Sequence, residues 1–255
     1  MSAPPATASW ASADPYALAL RAGHGPLFLR RADGWLLPLD VDRWCARADA
    51  VDRAVLDRCE GAVLDVGCGP GRLVAELAAR GHAVLGIDVS ETAVDRTERL
   101  GGPALHRSVF APLPGEGRWG SVLLMDGNIG IGGDPRALLD RVVQLLSPGG
   151  LLLAETAPVD VDERTQVQVV DVTTHARGGT SFPWARVGTE SLLRYAALAG
   201  LTPDAQWTAG GRRFAALRAR STDPARSSAE PPNSAAVISS QRGRNPAADW
   251  PVADR

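Results

Sequence analysis

A short apolar run that breaks into three closely spaced glycines constrains this chain more than any other feature. It reads Ala62-Val63-Leu64-Asp65-Val66-Gly67-Cys68-Gly69-Pro70-Gly71-Arg72, and the apolar residues after it recur at helical spacing until Gly81. This pattern predicts a buried strand that delivers a glycine loop to the N-terminus of a helix. A helix N-terminus presents unpaired N–H groups and the positive end of the helix dipole. The loop is therefore expected to favour a negatively charged group.

Strand and helix patterns alternate from this loop to residue 155. Apolar runs at 83–87, 104–107, 121–125 and 151–155 follow the first strand, with helical patterns between them. Such alternation implies parallel strands joined by helices that cover both faces of the sheet. The last pair of runs, within 205–220, flanks Gly210-Gly211 and predicts a terminal antiparallel hairpin. We therefore expect an α/β fold with seven strands, mostly parallel, whose last strand is antiparallel.

Acidic residues stand at the ends of four predicted strands. They are Asp65, Asp88, Asp126 and Glu155. Ligands of such sheets bind beyond the carboxyl ends of the strands, so these four side chains are expected to approach one ligand-binding edge.

The segments outside the alternating region differ from it in composition and periodicity. Residues 1–13 and 222–255 are rich in Pro, Ser and Ala without periodicity, which predicts disorder. Residues 14–55 are expected to form an N-terminal cap, with a short helix after Asp14, a β-ribbon over 26–39 and a helix over 49–59. The sheet domain is then expected to span 56–221.

Composition narrows the possible partners and compartment. The 255 residues contain 27 basic and 29 acidic side chains, for a net charge of -2, so no overall positive field attracts nucleic acid or an anionic membrane. Cys45, Cys59 and Cys68 have no metal-type spacing and are odd in number, which argues against disulfides and against a metal site. We expect a cytoplasmic protein.

All basic residues other than histidine are arginine, which suggests a GC-rich bacterial source.

The glycine loop resembles motif I of class I S-adenosylmethionine-dependent methyltransferases. Gly86-Ile87-Asp88-Val89-Ser90 resembles the second acidic motif of that family, and Pro148-Gly149-Gly150 before the fifth strand is also similar to it. The glycines are spaced G-x-G-x-G, whereas a nicotinamide or flavin fingerprint is G-x-G-x-x-G. The resemblance implies a Rossmann-like fold, the cofactor S-adenosylmethionine and a methyl-transfer activity.

The resemblance also implies roles for individual residues. Asp88 would accept hydrogen bonds from the ribose diol, and Asp65 would orient the glycine loop or the ammonium of the cofactor. Val89 would line one face of the adenine. Where the family often has an adenine-binding acid, this chain has Ser108, with the backbone of Val109 beside it. The remaining implied cofactor contacts are Gly67, Cys68, Gly69, Gly71, Asp126, Gly127 and Ile129.

The loop at 126–133 follows the fourth strand and is the second informative stretch. Its glycines let backbone approach a ligand, and the resemblance places it over the sulfonium, where substrate-facing groups are expected. We name Asp126 and Asn128 as candidate catalytic residues. His24, which precedes the ribbon, is a further candidate catalytic residue. His175, in the segment after the fifth strand, is another imidazole within reach of the site mouth.

The function expected from the sequence is methyl transfer from S-adenosylmethionine to a small-molecule acceptor at an unassigned O, N or C atom. The chain has no motif after the fourth strand that grips an extruded base, and the ribbon and the segment 156–187 are expected to form a lid over the strand ends. Two alternatives stay open: a dinucleotide-dependent oxidoreductase, and a non-catalytic protein that binds S-adenosylmethionine.

Overall fold

The computed structural model describes residues 14–173 and 179–221. The terminal segments predicted to be disordered, 1–13 and 222–255, and the candidate His175 lie outside the described residues. Among the described residues, no helix is long and apolar enough to cross a membrane. The helices are α1 (Pro15–Ala22), α2 (Val41–Cys45), α3 (Ala50–Leu56), α4 (Arg72–Ala79), α5 (Glu91–Arg99), α6 (Pro135–Leu145) and α7 (Thr189–Ala199), with a 3-10 helix at Asn128–Gly130. The strands are β1 (Leu27–Arg31), β2 (Leu36–Leu39), β3 (Val63–Val66), β4 (Val84–Asp88), β5 (Ala104–His106), β6 (Trp119–Leu124), β7 (Leu146–Thr156), β8 (Asp162–Asp171), β9 (Phe182–Val187), β10 (Leu201–Ala209) and β11 (Arg212–Ala219).

A seven-stranded sheet forms the centre of the protein. Its order is β10-β11-β7-β6-β3-β4-β5, with parallel pairing from β7 through β5 and antiparallel pairing of β11 with both of its neighbours. This arrangement confirms the predicted mostly parallel sheet with an antiparallel last strand.

Helices cover both faces of this sheet because its strands are apolar on both sides. Along β3, Leu64 packs with residues of α6 and α7, whereas Val63 packs with residues of α3 and α4. Two buried layers result, one on each face. Their presence confirms the α/β arrangement expected from the near-continuous apolar runs.

The predicted ribbon at residues 26–39 is correct but is only half of a second sheet. β1 pairs with β2, as expected from the Asp33-Gly34 turn, and its other edge pairs with β8. β9 completes the order β2-β1-β8-β9. The N-terminal segment and the insertion after β7 are therefore one structural layer, which the prediction of a separate ribbon did not anticipate.

The end of α3 differs from its predicted position. α3 ends at Leu56 rather than near Cys59, because Arg58 and Cys59 continue in turn-type hydrogen bonds. The helix α7 begins at Thr189, and its cap is Gly188, without a side-chain hydrogen bond. The Thr189 hydroxyl instead lies 2.8 Å from the Thr156 hydroxyl, which anchors the helix start to the end of β7.

Candidate active site

A cavity of about 280 Å³ lies at the carboxyl edge of the seven-stranded sheet. One side of its wall consists of the loops that follow β3 through β6. The other side is built by α1, α2 and all four strands of the second sheet. The side from the seven-stranded sheet contributes Val66, Gly67, Cys68, Gly69, Pro70, Arg72, Ile87, Asp88, Val89, Arg107, Ser108, Val109, Phe110, Asp126, Asn128, Ile131 and Gly132. The other side contributes Tyr16, Leu29, Leu39, Trp44, Val169, Phe182, Pro183 and Trp184.

The glycine loop is held close to its neighbours at two positions where a larger residue does not fit. Gly67 and Gly71 both have positive φ, of 70° and 91°. A Cβ at Gly67 would stand 2.7 Å from the Asn128 side-chain nitrogen, and one at Gly71 would stand 2.4 Å from the Thr97 hydroxyl oxygen. The loop therefore needs glycine for both backbone conformation and space.

Asp88 closes the loop from the end of β4. Its Oδ2 accepts a hydrogen bond from the Gly69 N–H at 2.9 Å, and its Oδ1 accepts one from the Ser90 N–H at 2.8 Å. Burial raises the pKa of this carboxyl, against the opposing effect of the two N–H donors. Each oxygen retains a second acceptor position, so the same carboxylate is able to receive the hydroxyls of a ribose.

Asp65 is buried beneath the loop and does not line the cavity. The residue is 1% exposed, and its Oδ2 has no hydrogen-bond partner among the described residues. Burial raises its pKa to about 7, despite the nearby Arg72 guanidinium. Because Asp65 has no surface on the cavity, it is placed to support the glycine loop from beneath rather than to contact a ligand. The glycine loop and Asp88 do border the cavity, and they fit the methionine and ribose portions of S-adenosylmethionine.

Asp126 belongs to a buried cluster of three acids and three arginines, which we call the ion cluster. Its members are Arg43, Asp52, Arg72, Asp126, Glu155 and Arg212. Arg72 donates to both Asp126 oxygens, at 2.7 and 3.0 Å, and Arg43 donates to Oδ1 at 2.6 Å. The Asp126 N–H donates to Glu155 at 2.9 Å. Charges of opposite sign are thus paired throughout the ion cluster.

These contacts keep Asp126 ionised. Burial favours its neutral form, but Arg72 and Arg43 outweigh that effect and hold the pKa of the carboxyl below its ordinary value. Asp126 also adopts φ of 56°, which is uncommon for a residue other than glycine. A strained residue with three arginine hydrogen bonds is built to hold the strand end in place rather than to accept a proton.

The other candidates from the loop after β6 separate into two groups. Asn128 lines the cavity, and its side-chain N–H₂ donates to the carbonyls of Val66 and Gly67, both at 2.9 Å. Asn128 therefore ties this loop to the glycine loop. Gly127 does not line the cavity. Ile129 is 1% exposed within the hydrophobic core and is also absent from the cavity wall.

The remaining predicted residues also divide by location. Val89, Ser108 and Val109 line the cavity, and Ser108 accepts a hydrogen bond from the Phe110 N–H at 3.3 Å. His24 is exposed and does not line the cavity, so the structure does not bring it to the other candidates.

Several residues of the site were not identified from the sequence. Tyr16 and the ion-cluster members Arg43, Asp52, Arg72 and Arg212 had no predicted role at the site. Only Arg72 carried a local signal, since it follows Gly71 directly at the first position of α4. Trp44 and Trp184 also line the cavity. Trp35 instead packs against the Arg31 and Arg186 guanidinium groups.

Solved structures of methyltransferases share this fold. A S-adenosylmethionine-dependent methyltransferase from Bacteroides fragilis, in complex with S-adenosylhomocysteine, is 21% identical, with a TM-score of 0.66 over 86% of this chain and 98% of that chain. A 1,6-didemethyltoxoflavin N1-methyltransferase from Burkholderia thailandensis is 22% identical, with a TM-score of 0.50 over 68% and 76%. A sugar N-methyltransferase from a Streptoalloteichus species is 19% identical, with a TM-score of 0.50 over 69% and 88%.

Sequence comparison assigns the family. No curated protein matches the chain significantly. The model of the family described as "Methyltransferase domain" matches residues 41–202, which is more than half of the chain and includes the glycine loop, Asp88 and the loop after β6. The chain therefore belongs to the methyltransferase-domain family, and it is a class I S-adenosylmethionine-dependent methyltransferase.

Proposed function

We propose that this methyltransferase transfers the methyl group to a small-molecule acceptor that binds between the glycine loop and the second sheet. The observation that supports this proposal is the wall opposite the glycine loop. It is built of apolar and aromatic side chains such as Leu29, Trp44, Phe182 and Trp184. A cavity of about 280 Å³ with such a wall suits a small organic molecule better than a polymer. Family membership excludes the oxidoreductase alternative.

The cofactor supplies an electrophilic methyl group on a sulfonium and departs as S-adenosylhomocysteine. In the proposal, Asp88 accepts from the ribose hydroxyls, and the backbone of Gly67 to Gly71 receives the methionine portion. Val89, Ser108 and Val109 border the adenine. Asn128 and Asp126 act as positioning residues, because their side chains are occupied with the glycine loop and with arginines.

The contribution of the protein to the reaction is then alignment and exclusion of water. The two acids that line the cavity, Asp88 and Asp126, both accept hydrogen bonds within the protein. The antiparallel bridge between Ile131 and Trp184 joins the loop after β6 to β9 and closes one side of the cavity. Holding two reactants in line in such a space lowers the barrier without a proton-transfer group.

Label transfer from methyl-labelled S-adenosylmethionine tests this function. The full-length protein is incubated with a bacterial extract, and label is counted separately in small-molecule, protein and nucleic-acid fractions. We expect label in the small-molecule fraction, and a large loss of it with Asp88→Ala. Label confined to protein or nucleic acid would contradict a small-molecule acceptor. Saturable cofactor binding with no labelled product would favour the non-catalytic alternative.

A further inference from the structure

Among the described residues, four charged side chains line the cavity: Arg72, Asp88, Arg107 and Asp126. Arg72 and Asp126 pair with each other at 2.7 Å within the ion cluster, whose three acids and three arginines balance. Asp88 directs one oxygen to each of two backbone N–H groups. Arg107 differs from these three, because the described part of the chain offers it no acidic partner. The cavity wall thus carries one positive charge without a paired carboxylate.

The backbone of Arg107 is fixed, while most of its side-chain donors remain available. Arg107 follows β5 directly, and its N–H donates to the Asp88 carbonyl at 2.8 Å, which holds it beside the end of β4. The side chain is exposed, and one guanidinium nitrogen donates to the Pro112 carbonyl at 3.1 Å. A guanidinium has five N–H donors in a planar fork, so the group is able to bind both oxygens of a carboxylate in addition.

Phe110 presents an aromatic ring to the cavity from the same loop as Arg107. The residue is 38% exposed, and a Cβ at Gly132 would stand 2.7 Å from its ring, so the ring lies against the loop after β6. That loop also carries Ile131, which bridges to Trp184 on the opposite wall. Arg107 and Phe110 therefore border the space between the loop after β6 and the second sheet, where the acceptor is proposed to bind.

The cofactor does not supply an anion at this position. In the proposed site its carboxylate belongs to the methionine portion on the glycine loop, whereas Arg107 precedes Ser108 and Val109, which border the neutral adenine. The cofactor as a whole carries one carboxylate against an ammonium and a sulfonium, so its net charge is positive. Both Arg107 and the bound cofactor therefore favour an acceptor with a negative group.

We propose that the methyl acceptor is an aromatic carboxylate, whose charged group pairs with Arg107 and whose ring lies between Phe110 and the wall of the second sheet. This inference rests on the proposed function, since it names the acceptor class for the same cavity. Arg107 is then a specificity-determining residue. The carboxylate is not the methylated group: another atom of the acceptor gives a lone pair to the methyl carbon. The C–S bond breaks with its electrons kept by sulfur, and a proton on the attacking atom passes to solvent.

Three probes with one ring system separate charge from shape. They are 2-naphthoate, an anion; 2-naphthamide, its neutral counterpart; and 2-naphthylmethylamine, a cation at neutral pH. Each is titrated by ligand-observed NMR into the full-length protein saturated with S-adenosylhomocysteine. We expect 2-naphthoate to bind about fivefold more tightly than 2-naphthamide at low salt, and the cation to bind more weakly than either. Salt at about 0.5 M should reduce this preference, because Arg107 is exposed and its charge is screened.

Substitutions of Arg107 provide the matched comparison. Arg107→Gln removes the charge and should abolish the preference for 2-naphthoate over 2-naphthamide. Arg107→Glu should reverse the order, so that the cation binds more tightly than 2-naphthoate, a result that a merely structural role would not produce. Arg99→Gln, at an exposed arginine of α5 that does not line the cavity, should keep the preference. The affinity of Arg107→Gln for S-adenosylhomocysteine, measured by calorimetry, should change less than about twofold.

Equal affinity for 2-naphthoate and 2-naphthamide, binding of none of the probes, or a preference that survives in Arg107→Gln would overturn the proposal. A large loss of S-adenosylhomocysteine affinity in Arg107→Gln would assign Arg107 to the cofactor and would overturn it as well. The titrations use a loaded protein that does not turn over, so they are independent of the label-transfer experiment. In that experiment, labelled small molecules that an anion exchanger does not retain would contradict this inference alone, whereas the absence of labelled small molecules would contradict the proposed function.

Discussion

Asp88 illustrates how a single carboxylate organises both the protein and the expected ligand. It already accepts from the N–H groups of Gly69 and Ser90, on either side of the site. The negative charge is needed if the same oxygens also receive two ribose hydroxyls, since charge-assisted hydrogen bonds are about twice as strong as neutral ones.

Asp88→Asn is therefore expected to weaken S-adenosylhomocysteine binding by about tenfold or more in calorimetry at neutral pH. The amide keeps the size of the side chain but accepts from only one of the two N–H groups, so the melting temperature without ligand should also fall, and affinity is measured at a temperature where the variant is folded. Asp95→Asn on α5 is a suitable control, since Asp95 is exposed and its ion pair among the described residues is the i,i+4 pair with Arg99. Unchanged affinity in Asp88→Asn would remove Asp88 from the proposed ribose site.

Asp65 makes a different contribution, which depends on pH. Burial raises its pKa to about 7 from the ordinary value of 3.8. Between these values the folded protein holds a proton that the unfolded chain has released. The stability gained from protonated Asp65 is fully present below about pH 4 and is lost as the pH rises through 7.

Asp65→Asn removes this titration. Relative to the unmutated protein, the variant should gain about 2 kcal/mol in free energy of unfolding between pH 5 and pH 8, measured by urea denaturation without ligand. Asp52, whose pKa is lowered to about 2 by Arg72 and Arg212 despite burial, loses its contribution only as the pH falls below about 4, outside this window. Asp57→Asn, at an exposed residue, should show no such pH dependence. A parallel pH profile for Asp65→Asn would disprove the raised pKa.

Local sequence was enough to predict that Asp88 and the glycine loop lie at the ends of strands, because each follows from the pattern of its own strand and the helix after it. The ion cluster was not predictable in this way. Its bonds join Arg212 to Asp52, 160 residues apart, and Arg43 to Asp126, 83 residues apart. An arginine with a distant buried partner looks the same in sequence as one on a solvated surface.

At the scale of elements, the glycine loop and α5 form one packed unit. Gly71 precedes α4 with positive φ, and a Cβ there would overlap the buried Thr97 of α5 at 2.4 to 2.7 Å. Thr97 also donates from its hydroxyl to the Gly69 carbonyl at 3.1 Å. A side chain at residue 71 would thus displace α5 from the loop that receives the cofactor.

Gly71→Ala should accordingly abolish measurable S-adenosylhomocysteine binding and lower the free energy of unfolding by at least about 3 kcal/mol, from backbone strain plus overlap. Gly101→Ala is the matched control. Gly101 has a similar φ of 85°, but a Cβ there meets nothing within 4 Å. It should show only the strain, about 1–2 kcal/mol, with binding retained. Similar losses in both variants would show that packing against α5 is unimportant.

The elements that sequence patterns located best were those with long, uniform apolar runs or clear turns. The strands β3, β4, β6 and β7, the helix α6 and the β1–β2 turn are of this kind. α2 was missed because five residues are too few to show helical periodicity. β9 was missed because Pro183 interrupts it, and proline is tolerated there only because β9 is an edge strand.

At the scale of the whole molecule, the cavity is assembled from segments that meet only in the folded chain. Residues 14–46 contribute Tyr16, whose hydroxyl would lie 3.5 Å from a Cβ at Gly69, and Arg43, which donates to Asp126. The N-terminal segment is thus fastened to the strand ends by an ion pair at the site itself. Ligand binding and the order of this segment should therefore be coupled.

Hydrogen exchange followed by mass spectrometry tests this coupling. Saturating S-adenosylhomocysteine should slow exchange across residues 14–46 and the loop 126–133, because both border the cavity. The hairpin of β10 and β11 does not line the cavity and should keep its rate, which makes it the internal reference.

Arg43→Gln removes the ion pair with Asp126 while Arg72 still holds that carboxylate. In this variant, the protection of residues 41–45 by the ligand should fall at least about fivefold, while protection of the loop 126–133 persists. Arg30→Gln, which removes an exposed hydrogen bond to Gln168 in the second sheet, away from the ion cluster, should behave like the unmutated protein. If Arg43→Gln retains full protection, the N-terminal segment is held over the site by its hydrophobic contacts alone, and the ion pair with Asp126 serves only the strand end.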